Sequence, residues 1–187
     1  MADIQEVLHA LSPEVLRGQF QLPHAAWREE YVARFLATES YEDMVDELGR
    51  FVAHVMTRWF GNRVPWPADR GRSTAVRLLN EKLGDGLHPK AGEFAAMKMC
   101  RHGDRGGIRY LLDLISEALL QESVKQYLDC VVLPRIQQLP FDESMDLARR
   151  YLEIYDVVPG LAMESPAGIM MRWRQVIHQH ARQVLAG

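Results

Sequence analysis

Cysteine is nearly absent from this chain, with only Cys100 and Cys130 among 187 residues. A disulfide framework is therefore excluded as the source of its stability. Both cysteines sit among apolar neighbours in helix-like contexts, which predicts buried free thiols and a reducing, cytoplasmic setting. Long apolar runs are missing too, and nothing approaches the roughly twenty residues that a membrane span requires. The opening Met-Ala-Asp-Ile-Gln-Glu is acidic with no apolar centre, unlike a secretory signal. No Val/Ile/Thr alternation bounded by turn pairs occurs, so no sheet is expected. No repeat of fixed period is found.

Catalytic and metal motifs are equally scarce. There is no Gly-x-Ser-x-Gly elbow, no His-Glu-x-x-His and no Cys pair at zinc spacing. Cys100-Arg101-His102 offers only two donors. Glu6-Val7-Leu8-His9 is a single Glu-x-x-His, where a carboxylate-bridged di-iron bundle needs two. His178 and His180 fall about 200° apart on a helix and do not share one ion. These absences point to a non-catalytic protein with no metal site and no cofactor.

What the sequence does contain is helix. A chain with 48% hydrophobic residues and this length buries about 70% of its unfolded surface. Between Tyr41 and Phe60, apolar residues recur at steps of three and four, from Met44 and Val45 through Leu48, Val52 and Val55 to Trp59. Ser40 is placed to cap that helix, with acids crowding its first turns and Arg58 near its end. Val64-Pro65-Trp66-Pro67 reads as extended, because each proline drives its predecessor out of the α region.

Similar signals place further helices from Asp3 to Ala10, from Ser12-Pro13, and from Pro23 to about Thr38, with Trp27, Tyr31, Phe35 and Leu36 inward. Others run over Arg72–Leu83, Pro89–His102, Asp142–Val157 and from Ser165-Pro166 to about Leu185. Ile108–Leu139 is apolar on more than one face and reads as the central element, kinked or broken at Pro134. The fold class is all-α: an irregular bundle of about seven to nine helices without a sheet. It forms one domain over 1–187, with possible sub-units 1–61 and 68–187 joined by the Pro-rich loop 62–67. Val55, Trp59, Leu112, Ile115, Leu119, Leu128, Val132, Tyr151 and Trp173 are the expected core.

Charge supplies the one sharp functional signal. The net charge of −3 hides a segregation: residues 62–109 hold ten Lys/Arg against five acids, while 1–61 hold five against ten. A cationic middle in an acidic frame attracts an anion, whether a nucleic-acid backbone, an acidic protein face or the chain's own acids. Arg70, Arg72, Arg77, Lys98, Arg101, Arg105 and Arg109 are the candidate anion-binding residues, and Trp66 a candidate stacking platform. The two helices around Gly84-Asp85-Gly86 carry a helix–turn–helix layout, although Ala91-Gly92-Glu93-Phe94-Ala95-Ala96-Met97 is small and apolar, as packing helices are. Arg101-His102-Gly103-Asp104-Arg105-Gly106-Gly107 offers a glycine-rich phosphate loop, or a plain turn in which Asp104 caps the next helix.

The expectation is an accessory or regulatory binding protein contacting DNA or RNA through 62–109. The alternative is a protein–protein adaptor or assembly subunit that docks an acidic partner or forms a homo-oligomer. Neither reading involves a membrane.

Overall fold

The computed structural model describes residues 3–21, 25–61, 66–101, 105–154, 160 and 163–187, apart from the side chains of 68, 100 and 101. These residues are 85% helical, with no strand among them. The helices are α1 (Ile4–Ala10), α2 (Pro13–Gln19), α3 (Ala25–Leu36), α4 (Tyr41–Phe60), α5 (Ala68–Leu83), α6 (Ala91–Arg101), α7 (Arg105–Tyr127), α8 (Leu133–Gln138), α9 (Phe141–Ile154) and α10 (Pro166–Ala186). A π-helical turn, Leu128–Val132, joins α7 to α8 without a break, which leaves nine continuous helical segments.

The start signals act as their chemistry dictates. Asp3, Ser12, Ser40 and Ser165 each accept a backbone N–H from the first turn of the helix that follows. α5 begins at Ala68, four residues before Arg72, because Pro67 supplies the extended residue ahead of it. α9 begins at Phe141, one residue before Asp142, with Ser144 N–H bonded to the Pro140 carbonyl. Asp142 is thus a first-turn acid rather than the cap. Pro23, Pro159 and Val157 lie outside the described residues.

The break expected at Pro134 is the π turn. Proline has no N–H, and its ring crowds the carbonyl four residues back. Widening the preceding turn, with Leu133 N–H bonded to the Leu128 carbonyl, relieves that crowding. Cys130 lies on this turn and is free but exposed, not buried as its neighbours suggest. The Cys100 side chain is not among those described.

Two compact units form, Gln21–Leu120 and Met1–Phe20 with Gln121–Gly187. Segment 62–67 consequently links two helices of one unit. In Gln21–Leu120, α4, α5 and α6 cross at glycines. A Cβ on Gly71 would lie 2.2 Å from the Gly49 carbonyl, and one on Gly92 only 1.8 Å from that of Leu79. The backbones thus approach more closely than any side chain permits.

A buried polar lock ties the same three helices. Glu93 is 6% exposed and accepts from Tyr41 Oη and from Asn80 Nδ2 (2.9 Å), while Asn80 Oδ1 accepts its backbone N–H at 3.3 Å. Asn80 therefore caps α6 from the neighbouring helix. Burial and the bond to Glu93 hold the Tyr41 phenol well above its ordinary pKa, so it stays a neutral donor. Trp59 is buried and donates to the Gln21 carbonyl at 2.7 Å. Trp27 is only half-buried, stacked on Phe51 and edge-to-face with Tyr31 and His54.

In the terminal unit, α10 buries Ile169, Trp173, Val176, Ile177, Ala181 and Val184. Tyr151 packs edge-to-face on Trp173, with ring centres 4.6 Å apart. Arg17 Nε donates to the Val184 carbonyl at 2.9 Å, and His180 pairs with the Leu11 carbonyl at 3.2 Å. All nine expected core residues are buried, none more than 6% exposed.

Candidate interaction surface

The corner between α5 and α6 is built from its turn chemistry upward. Gly84 ends α5 in an extended conformation. The Asp85 carboxylate then accepts the N–H groups of Leu87 (2.9 Å) and His88 (3.2 Å). Those two bonds draw its pKa below the ordinary carboxylate value. Gly86 occupies the left-handed region at φ 74°, where a side chain is strained. His88 Nδ1 accepts the Lys90 N–H at 3.1 Å, and its ring lies 5.5 Å from that of Phe94. The turn is thus tied by its own polar groups, and it holds Leu87 91% exposed and Phe94 48% exposed.

α6 divides by face. Gly92, Glu93 and Ala96 are buried, whereas Lys90, Phe94 and Lys98 are exposed at successive steps of four. Phe94 N–H bonds to the Lys90 carbonyl, which places Lys90 in register with the helix. Its outer face therefore reads Lys–Phe–Lys, with Leu87 beside it. Neither lysine makes an ion pair among the described residues. The small residues do pack closely, as their composition suggests, but Phe94 points outward. The outer face lacks the polar, base-reading side chains of a recognition helix.

The seven candidate anion-binding residues take separate settings. Arg70 lies over the Trp66 ring, 4.0 Å from its centre, so the half-buried indole already has a cation on its face. Arg77 is one helical repeat on from Arg70, near the same face, and pairs with Glu81 at 3.2 Å. Arg72 is about 200° around α5 from Arg70 and pairs with Glu42 and Asp46 of α4. Arg109 grips Glu29 of α3 through Nε (2.6 Å) and Nη2 (3.0 Å). That hydrogen bond, with the positive charges of Arg109, Arg28 and Arg105, holds the Glu29 carboxyl below its ordinary value against the pull of burial.

Arg105 is exposed in the first turn of α7, and Lys98 is exposed on α6. The side chain of Arg101 lies outside the described residues, as do His102–Asp104 and Asn62–Pro65. Gly106 and Gly107 are helical, inside α7, and not part of a loop. The acidic frame thus neutralises part of the cationic middle inside one unit, through Arg72 and Arg109.

A second polar cluster occupies the terminal unit. Asp129, on the π turn, accepts from Arg174 (Nε 3.0 Å, Nη2 2.7 Å) and meets His178 Nε2 at 3.3 Å. Burial opposes ionisation of Asp129, but Arg174 and His178 outweigh it and lower its pKa. Burial also lowers the pKa of His178, against the pull of Asp129. Among the described residues, no three His, Cys, Asp or Glu gather as metal ligands, and no helix is long and apolar enough to cross a membrane.

The signal for the α5–α6 corner lay in the sequence as Asp85-Gly86 followed by Lys90, Phe94 and Lys98 at helical spacing. It was masked by the small residues around Phe94, which read as a wholly packed helix. No protein-family model, no curated protein and no solved structure matches this chain.

Proposed function

We propose that the protein is a non-catalytic interaction or assembly subunit that docks protein through the α5–α6 corner. The observation that carries this reading is Leu87, 91% exposed on a turn that Asp85 ties down. An aliphatic side chain left in water on an ordered turn forgoes the stabilisation that burial would give and adds nothing to the core. Such anchors, ringed by charge, are what protein interfaces use. The pairing of Arg72 with Glu42 and Asp46, and of Arg109 with Glu29, supports the same reading, since those cations already have anionic partners.

Nucleic-acid contact through 62–109 is the competing reading, and Lys98 and Arg105, both exposed, favour it. A photo-crosslinking side chain at position 87, with one at exposed Gln183 as control, separates the two when combined with gel shifts on duplex DNA, single-stranded DNA and RNA across a salt series. Protein adducts specific to position 87, with no shift at moderate salt, are expected. A salt-sensitive shift that the double variant Lys98→Gln/Arg105→Gln abolishes would overturn the protein-docking reading.

A further inference from the structure

Phe141, the first residue of α9, is 63% exposed, and Asp142, Glu143 and Asp146 around it are exposed as well. Asp146 has Arg149 at 4.0 Å, whereas Asp142 and Glu143 make no ion pair among the described residues. This patch is the electrostatic inverse of the α5–α6 corner. There Phe94 stands between Lys90 and Lys98, with Leu87 on the turn before them; here Phe141 opens the helical turn that carries Asp142 and Glu143, and Asp146 follows on the next. In each patch exposed charges of one sign outnumber the other beside an aromatic ring that water must cover, so each gains from a partner of opposite sign.

We propose that the α5–α6 corner of one molecule receives the start of α9 of a second copy of this chain. The inference rests on the docking role assigned to that corner and names its partner. Phe141 would pack against Phe94 and Leu87, with Asp142 and Glu143 meeting Lys90 and Lys98. The two surfaces differ, so two copies either pair reciprocally, each corner holding the other's α9 start, or join head-to-tail into a ring or an open chain. Two short patches make a modest interface, and its charged rim makes it sensitive to salt.

Light scattering behind size exclusion, from about 1 μM to about 1 mM, tests this on the full chain. Mass should rise with concentration and fall as salt is added. Lys90→Glu/Lys98→Glu, Asp142→Lys/Glu143→Lys and Leu87→Ala/Phe94→Ala should each weaken self-association by about tenfold or more.

The decisive arm mixes the two charge variants. The first keeps a wild-type α9 start and the second a wild-type corner, and the reversed corner of the first again complements the reversed α9 start of the second, so the equimolar mixture should recover the association of the wild type. That rescue also shows that both variants are folded. The fourfold variant carrying both reversals should again associate with itself. A wild type that stays monomeric throughout, charge variants that associate as the wild type does, or a mixture that associates no better than its components would overturn the proposal. None of those results touches the position-87 crosslinks, which judge the docking role on their own.

Discussion

Glycine decides the packing of α4, α5 and α6 residue by residue. Gly92 has no room for a methyl group, with the Leu79 carbonyl 1.8 Å from where its Cβ would stand, whereas Gly18, on the exposed side of α2, has nothing within 4 Å. The same substitution should therefore have opposite signs at the two places. Gly92→Ala forces two helix backbones apart and is expected to destabilise by about 1–3 kcal/mol, as over-packing does. Gly18→Ala removes backbone freedom from the unfolded chain and is expected to stabilise by about 0.4–1 kcal/mol. Urea midpoints for the two variants check this. A Gly92→Ala variant as stable as wild type would mean that α5 and α6 do not cross at this glycine.

Among elements, α6 shows dependence on a neighbour directly. It has eleven residues, too few to hold a helix in isolation, and its cap comes from Asn80 of α5. Asn80→Ala deletes the donor to Glu93 Oε2 and the acceptor of the Glu93 N–H together, inside a site that is 6% exposed. Buried polar groups left without partners cost about 1–3 kcal/mol. The expected result is a loss of that size, with amide exchange in α6 accelerated ahead of that in α4. Equal acceleration in both helices would show that the lock serves the whole unit and does not dock α6 in particular.

Acid should weaken the whole molecule in two stages. Burial, first of all, holds His54 and His178 below the ordinary histidine pKa of 6.5. Arg58 and Arg34 add to this at His54; at His178, Arg174 and Lys125 add to it while Asp129 opposes. Each imidazole therefore binds its proton more readily once the chain unfolds. Their contribution to stability is complete above about pH 6.5 and is lost as pH falls through their folded-state values.

Glu29, held low by its Arg109 bond, and Asp129, held low by Arg174 against burial, then lose theirs below about pH 4. Melting temperature should be level from about pH 8 to 7, decline below about 6.5, and decline again below about 4. The double variant His54→Asn/His178→Asn should flatten the first decline alone. A melting temperature that rises between pH 7 and 5.5 would contradict the sign for both histidines.

The sequence by itself determined the helical class and most of the buried set, though not the exposure of Cys130 or the half-burial of Trp27. Ser40, Ser12-Pro13 and Ser165-Pro166 start their helices because a hydroxyl cap and a fixed proline φ act within one turn. The stripe from Met44 to Trp59 is buried because helical periodicity sorts residues by face. Pro134 likewise marked the long apolar run by a local rule, although the helix continues through it by way of a π turn and does not break.

Only the tertiary structure decided which charges meet. Arg72 finds Glu42 and Asp46 thirty and twenty-six positions away, and Arg109 finds Glu29 across eighty. Such pairings follow from how helices cross, and charge counted along a chain carries no record of them. For the same reason the cationic middle, uniform in sequence, becomes ion pairs at Arg72 and Arg109, a cation–aromatic stack at Arg70, and an exposed Lys–Phe–Lys face on α6. Gly92, hidden among small residues in the sequence, turns α6 so that Phe94 faces water, because only the glycine side of that helix fits against Leu79.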